Sequence, residues 1–390
     1  MKNRRHALSL IAAAALIGAG PGMAWAQGDS VKIGVILPMT GPSASTGKQV
    51  EAAIKLWVAQ NGSTAGGKKV EVIIKDDAGV ADTTRRVAQE LVVNDKVAVL
   101  AGFGLTPLAL ATAPIATQSK TPMVIMAAAT SAITDASPYA IRSGFTVPQI
   151  TVGIAQWAAQ NKIRKVVTLV SDYGPGNDAE KYFNERYTQG GGQVVEKLRT
   201  PLRGADFAPV LQKVRDLSPD ALFVFLPSGQ GATFMKQYVE RGLDKAGIKL
   251  ITTGDVTDDD QLNDMGDAAL GVINSHHYSA AHDSAVNKKF VAAFEAANKF
   301  RPNFHAVGGY DGMHMIYQAL EATHGAGGEA LLAALKTQGF ESPRGPIQVD
   351  PQTREMVQNI YIRKVEKLNG QLYNVEFDVQ KAVKDPGKVK

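Results

Sequence analysis

The stretch from Val97 to Thr130 constrains the fold more than any other. It reads VAVLAGFGLTPLALATAPIATQSKTPMVIMAAAT, and its single charge is Lys120. Two short apolar runs, VAVLAG and PMVIMA, flank an Ala-rich segment that opens at Thr106-Pro107. This spacing predicts strand, turn, helix, strand. Strands without polar alternation belong to a parallel sheet covered on both faces, and ligands collect beyond the C-terminal ends of such strands. Those ends here are GFGLT and AAAT, which offer backbone N–H groups, hydroxyls and a helix N-terminus to a polar or anionic group. The same residues would serve as plain βα turns of a large core. A membrane span over 97–116 is disfavoured, because Pro107, Pro114, Gly102 and Gly104 interrupt a helix that needs about 20 residues to cross.

The pattern extends in both directions. Val31 to Leu37 (VKIGVIL) reads as a strand, followed by the loop MTGPSASTG and a helix over 48–60. Strand 70–75, helix 82–93, strand 97–101, helix 107–119 and strand 122–127 complete one series. A second runs through helix 147–160, strand 165–170, the turn SDYGPG, helix 178–189, strand 193–198, helix 206–217, strand 221–226, helix 231–241 and strand 248–253. Another strand from Val272, helices at 284–299, 305–322 and 328–337, and two alternating segments, 356–365 and 372–377, close the chain. Alternating strands and helices at this spacing give parallel sheets with right-handed crossovers.

The first 26 residues have Lys2, Arg4 and Arg5, an apolar run from Ala7 to Ala19, and Ala24-Trp25-Ala26. That is the tripartite form of a secretory signal peptide cut before Gln27. Without it, 39 basic side chains face 37 acidic ones, a net charge of +2, so the basicity of the full chain implies neither nucleic acid nor a membrane surface as partner. Cysteine is absent, which excludes disulfides, thiolate metal sites, thiol catalysis and a lipid on an N-terminal Cys. A soluble exported protein large enough for two domains is the expectation.

In order and spacing, VKIGVILPMTGPSASTG, AGFGLTP…AAAT, SDYGPGNDAEKYF and TTGDVTDDD resemble the leucine/isoleucine/valine-binding protein family, the type I periplasmic solute-binding proteins of ABC importers. The resemblance covers essentially the whole mature chain. It implies an α/β fold of two doubly wound parallel-sheet lobes joined by three crossovers, near 143–148, 275–280 and 350–357. One lobe would hold 27–145 and 278–353, and the other 146–277 and 354–390. A solute would bind in the cleft between them as the lobes close on a hinge, and a membrane permease would receive it.

By the same resemblance, Phe103, Gly104, Leu105, Thr106, Ala128, Ala129 and Thr130 would hold a ligand carboxylate through N–H groups and hydroxyls. Leu105 stands where the family often has Ser, so Thr106 or bare amides would take over. Thr46 stands where branched-chain receptors have an aromatic residue. Tyr173 and Asp255 would close from the other lobe, Asp255 matching the acid that pairs with an amino-acid ammonium. Asp258 to Asp260 read better as caps of the next helix. Gly229 is small where the family can place an aromatic ring. With Thr46 it leaves more room than leucine needs, so an aromatic acid or a larger amide stands beside a branched-chain or other amino acid as the expected carboxylate-bearing solute.

No enzyme pattern competes. The seven histidines show no HExxH spacing, and GxSxG and the phosphate-loop order GxxxxGK[ST] are absent. His276 and His277 would point to opposite faces if both lay on a strand, and read as an interlobe crossover pair. Tyr310-Asp311 reads as packing and capping at a helix start. No cofactor or metal is expected, and a monomer is. A transport receptor in the periplasm is the leading function, a ligand-sensing module signalling to a partner is the alternative, and an exported hydrolase is a distant third.

Overall fold

The computed structural model describes residues 30–388, so the signal-peptide segment lies outside the described residues. The first series is β1 (Val31–Leu37), α1 (Ala44–Asn61), β2 (Thr64–Ala65), β3 (Lys68–Asp76), α2 (Ala81–Val93), β4 (Val99–Gly102), α3 (Thr106–Ser119), β5 (Met123–Ile125), α4 (Ile133–Ala136) and β6 (Ala140–Arg142). The second is α5 (Val147–Gln160), β7 (Lys165–Ser171), α6 (Gly174–Gln189), β8 (Gln193–Thr200), α7 (Ala208–Leu217), β9 (Ala221–Phe225), α8 (Gly231–Glu240), β10 (Lys249–Thr253) and β11 (Ile273–His276). Then come α9 (Ala285–Asn298), α10 (Phe304–Ala322), α11 (Gly328–Leu335), β12 (Gly339–Ser342), β13 (Gly345–Val349), β14 (Met356–Leu368) and β15 (Gln371–Val383).

These strands make two sheets. The smaller has the order β2-β3-β1-β4-β5-β6 and is parallel apart from the β2-β3 hairpin. The larger runs β12-β13-β14-β11-β10-β9-β7-β8, with β15 added to β14; its β11-to-β8 part is parallel and the rest antiparallel. The continuous apolar runs have a direct cause. Val35 and Leu37 of β1 pack with Trp57 and Met315 on one face, while Ile36 packs with Leu91 and Ala113 on the other. In β7, Val166 and Val170 go to one core and Val167 and Leu169 to another. Both faces are covered, so neither can be polar.

Several features depart from the sequence reading, the short elements β2, α4 and β6 among them. The hairpin β12-β13 was not anticipated; it is short, carries Pro346, and hydrogen-bonds to β14 of the larger sheet while Ile347 and Val349 pack with the core over the smaller one. Tyr310 and Asp311 lie inside α10 rather than at its start: the Tyr310 hydroxyl donates to Gln60 Oε1 at 2.7 Å, and buried Asp311 pairs with Arg344 at 2.9 Å. They pack and pair, and the cap of α10 is Asn303, whose side chain accepts from the amides of His305 and Ala306.

The crossings between the sheets are tied by buried arginines. Arg142 pairs with Glu355 and also donates to the carbonyls of Ala128 and Thr130. Arg344 donates to the carbonyls of Ser143 and Gly144, 3.0 Å to the latter. One hydrophobic cluster runs through the region, taking Ala52 and Leu56 of α1 together with Phe145, Val166, Phe183, Phe223 and Phe304.

Candidate ligand-binding site

A cavity lies where the C-terminal ends of the two sheets face each other, the place where ligands collect in open α/β sheets. Five helices begin at it: α5 contributes Val147, α10 contributes His305, and the other three are α1, α3 and α6. Ser43 and Thr46 come from the start of α1, Leu105 and Thr106 from α3, and Tyr173 and Pro175 from α6, and no side chain caps the first amides of any of the three. Uncapped helix N-termini carry partial positive charge, and three converging on one space favour an anion there. The Thr106 hydroxyl is buried and has no hydrogen-bond partner among the described residues. A ligand acceptor would supply one.

The β4-α3 turn is held in a demanding conformation. Phe103 has φ +67°, rare for a residue with a side chain. Its N–H donates to the Ile36 carbonyl at 2.9 Å and its carbonyl accepts from the Ala128 N–H at 2.8 Å, so the neighbouring strand ends fix it. A Cβ on Gly104 would stand 2.5 Å from Pro38 Cγ, so that position requires glycine.

Of the residues expected from the sequence, Thr46, Gly104, Leu105, Thr106, Ala128, Ala129, Tyr173 and Asp255 line this one cavity. Three do not. The Phe103 ring lies in the core over α2 and α3. Thr130 donates through its hydroxyl to Asp178 Oδ2 at 2.7 Å, outside the cavity. Gly229, at φ +95°, lines an adjoining cleft with Pro42, Gly79 and Arg203. The remaining walls are Phe145, Val147, Phe225, Pro227, Ser228 and His305 among others. Phe225 ends β9 and Pro227 and Ser228 follow it, so the strand-end rule that pointed to GFGLT and AAAT reaches them too. His305 had no such signal, since α10 brings it in from the other side of the cavity.

The aspartates after Asp255 correct the reading of them as helix caps. The following 3-10 segment Leu262–Ala269 has Gln261 at its start and no side-chain cap. Asp258 accepts from Asn303 at 3.1 Å, Asp259 from Asn374 at 3.1 Å, and Asp260 from the Ser45 hydroxyl. Two of these partners, Ser45 and Asn303, stand at the starts of α1 and α10. Together with Thr130–Asp178 and an Arg203 bond of 2.6 Å to the Gly79 carbonyl, they hold the cavity shut.

The two histidines do not both lie on the strand. β11 ends at His276, so His277 leaves the strand; the His277 ring stacks on Phe145 at 4.7 Å between centroids and the His276 ring lies tilted against it at 4.6 Å. Burial pulls His276 down to about 4 against the opposing effect of Asp255, and pulls His305 down to about 3. Both imidazoles are therefore neutral at pH 7. Among the described residues, Asp255 is the one acidic side chain on the cavity wall and no Lys or Arg lines it; buried Arg363 stands behind it and donates to Asn274 at 2.7 Å. An anion here would be held by amides and hydroxyls, with no cation in contact.

The chain was then compared with known proteins. Residues 30–371 match the model of the family described as periplasmic binding protein. A Leu/Ile/Val-binding protein homolog 6 of Brucella melitensis is 44% identical over 369 residues, covering 93% of this chain and 94% of the relative. A solute-binding protein of an ABC transporter from Rhodopseudomonas palustris BisB5, solved with 3,4-dihydroxybenzoic acid, is 60% identical with a TM-score of 0.91, covering 92% of this chain and 99% of that one. Another from R. palustris, solved with 4-hydroxybenzoate, is 41% identical with a TM-score of 0.90, covering 93% and 100%. By the match over residues 30–371 and the 44% identity along nearly its whole length, the chain belongs to the periplasmic binding protein family.

Proposed function

We propose that this protein is the solute receptor of an ABC importer and that its solute is an aromatic carboxylic acid of the hydroxybenzoate type. The observation that carries the reading is the make-up of the cavity: three uncapped helix N-termini and the unpartnered Thr106 hydroxyl at a wall without a cation, and the rings of Phe145, Tyr173 and Phe225 around the remaining space. The carboxylate would lie against Gly104 to Thr106 and the Ala128-Ala129 turn, with the ring between the aromatic side chains. Thr46, Tyr173 and Asp255 complete the contacts, while Phe103, Thr130 and Gly229 shape and close the site from behind. The similarity to two receptors solved with hydroxybenzoates supports this ligand class over branched-chain amino acids.

In this reading the lobes are 27–145 with 278–353 and 146–277 with 354–390, and the receptor is a non-catalytic monomer. It is exported to the periplasm by cleavage before Gln27, and it hands the solute to a permease. The test is a thermal-shift panel of benzoate, hydroxybenzoates, leucine, valine and aromatic amides. A ligand at a hundred times its dissociation constant stabilises the folded protein by about 2.7 kcal/mol. Hydroxybenzoates should raise the unfolding midpoint and leucine should not; stabilisation by leucine or valine alone would reject the reading.

A further inference from the structure

We propose that Asp255, together with His305 and Ser228, reads a hydroxyl group on the ring of the bound acid, so that the receptor discriminates phenolic acids from plain benzoate. The inference rests on the aromatic-acid reading above and adds which end of the ligand selects it.

Four observations carry it. Asp255 and His305 both line the cavity, each only 6% exposed. Asp255 Oδ2 and His305 Nδ1 have no hydrogen-bond partner among the described residues. His276 Nε2 stands 3.6 Å from Asp255 Oδ2, beyond hydrogen-bond length, so that carboxyl oxygen is not already spent. His305 Nε2 lies 3.3 Å from the Ser228 hydroxyl, a contact that joins α10 to the β9-α8 turn across the cavity.

The chemistry of this set selects its partner. An imidazole that is neutral offers one donor and one acceptor, Ser228 offers both, and the carboxyl of Asp255 can accept. A ring hydroxyl donates one hydrogen bond and accepts another, so it satisfies an acid and an imidazole N–H together. An ammonium only donates, so with the His305 proton on Nδ1 it would leave that N–H without an acceptor, whereas a hydroxyl fits either tautomer. A phenol already stands in this environment: burial and the nearby Asp255 both push the Tyr173 hydroxyl well above its ordinary range, favouring the protonated form that donates. A ligand phenol would meet the same two influences. Since His305 comes from one side of the cavity and Ser228 with Asp255 from the other, a hydroxyl here would also bridge the two lobes.

The test is calorimetry of benzoate, 3-hydroxybenzoate and 4-hydroxybenzoate on the wild type and on Asp255→Asn, Asp255→Leu, Ser228→Ala and Thr106→Val, each first checked for an intact unfolding transition. The wild type should prefer at least one hydroxybenzoate over benzoate by about tenfold or more, because a site built for a hydroxyl penalises its loss. That ratio should fall in Asp255→Asn and approach one in Asp255→Leu. Ser228→Ala should lower the ratio partly. Thr106→Val should weaken all three acids alike and leave the ratio intact. A wild-type ratio near one, or a ratio unchanged in Asp255→Leu and Ser228→Ala, overturns the hydroxyl assignment while the aromatic-acid reading stands. Failure of the wild type to bind any of the three acids overturns both.

Discussion

At the scale of single residues, the notable feature is a set of polar groups buried around an apolar slot. Thr106, Asp255, His276 and His305 were each kept from water by folding, and folding gained little from them in return, which is the usual condition of groups that serve a ligand. The histidines make this measurable. Their folded pKa values lie below the ordinary 6.5, so below that value the unfolded chain binds protons that the folded one refuses. Stability contributed by the neutral rings is complete above pH 6.5 and is lost as pH falls toward about 4. Denaturation at pH 7 and pH 5 should show a loss on the order of 2 kcal/mol per histidine, and the double variant His276→Phe, His305→Gln should lose less over the same interval. Equal losses in the two proteins would show that other groups set the acid sensitivity. Of these residues, Thr106 was legible because it follows an apolar strand, and Asp255 only through the family resemblance. His305 was not, because its role comes from a helix packed in from far along the sequence.

At the scale of elements, the strands and helices of both series could be read because two-sided burial writes itself as uninterrupted apolar runs. What escaped were elements whose shape is decided by tertiary contacts. The hairpin β12-β13 has too few residues to show a pattern, and β11 stops at His276 because Phe145 and Phe304 draw both histidine rings to one side. The aspartates at 258–260 looked like caps because local sequence cannot show Asn303, Asn374 and Ser45 arriving from elsewhere. The crossings between the sheets depend on Arg142 and Glu355, both essentially fully buried. Removing one partner of such a pair strands the other, so Glu355→Gln should destabilise by about 3–5 kcal/mol in urea denaturation. Replacing both with apolar residues should cost much less. A single variant as stable as the wild type would show that the pair does not hold the crossing.

At the scale of the whole molecule, the cavity exists only because two sheets present their C-terminal ends to each other, with Ser45–Asp260, Thr130–Asp178 and Arg203–Gly79 bonded across the gap. Ligand groups divided between two lobes bind well only when the lobes are together, so a solute stabilises the shut arrangement by its preference for it. The sequence could indicate this architecture because it is repeated twice along the chain, but the solute depends on a dozen side chains in turns, where volume and polarity are set by the meeting of the lobes. The most direct measurement is therefore a crystal structure of the protein grown with 4-hydroxybenzoate. The account predicts the ring between Phe145, Tyr173 and Phe225, the carboxylate at the starts of α1, α3 and α6 within hydrogen-bond reach of Thr106, and the hydroxyl toward Asp255 and His305. A carboxylate directed at Asp255, or a ligand bound outside this cavity, would contradict it.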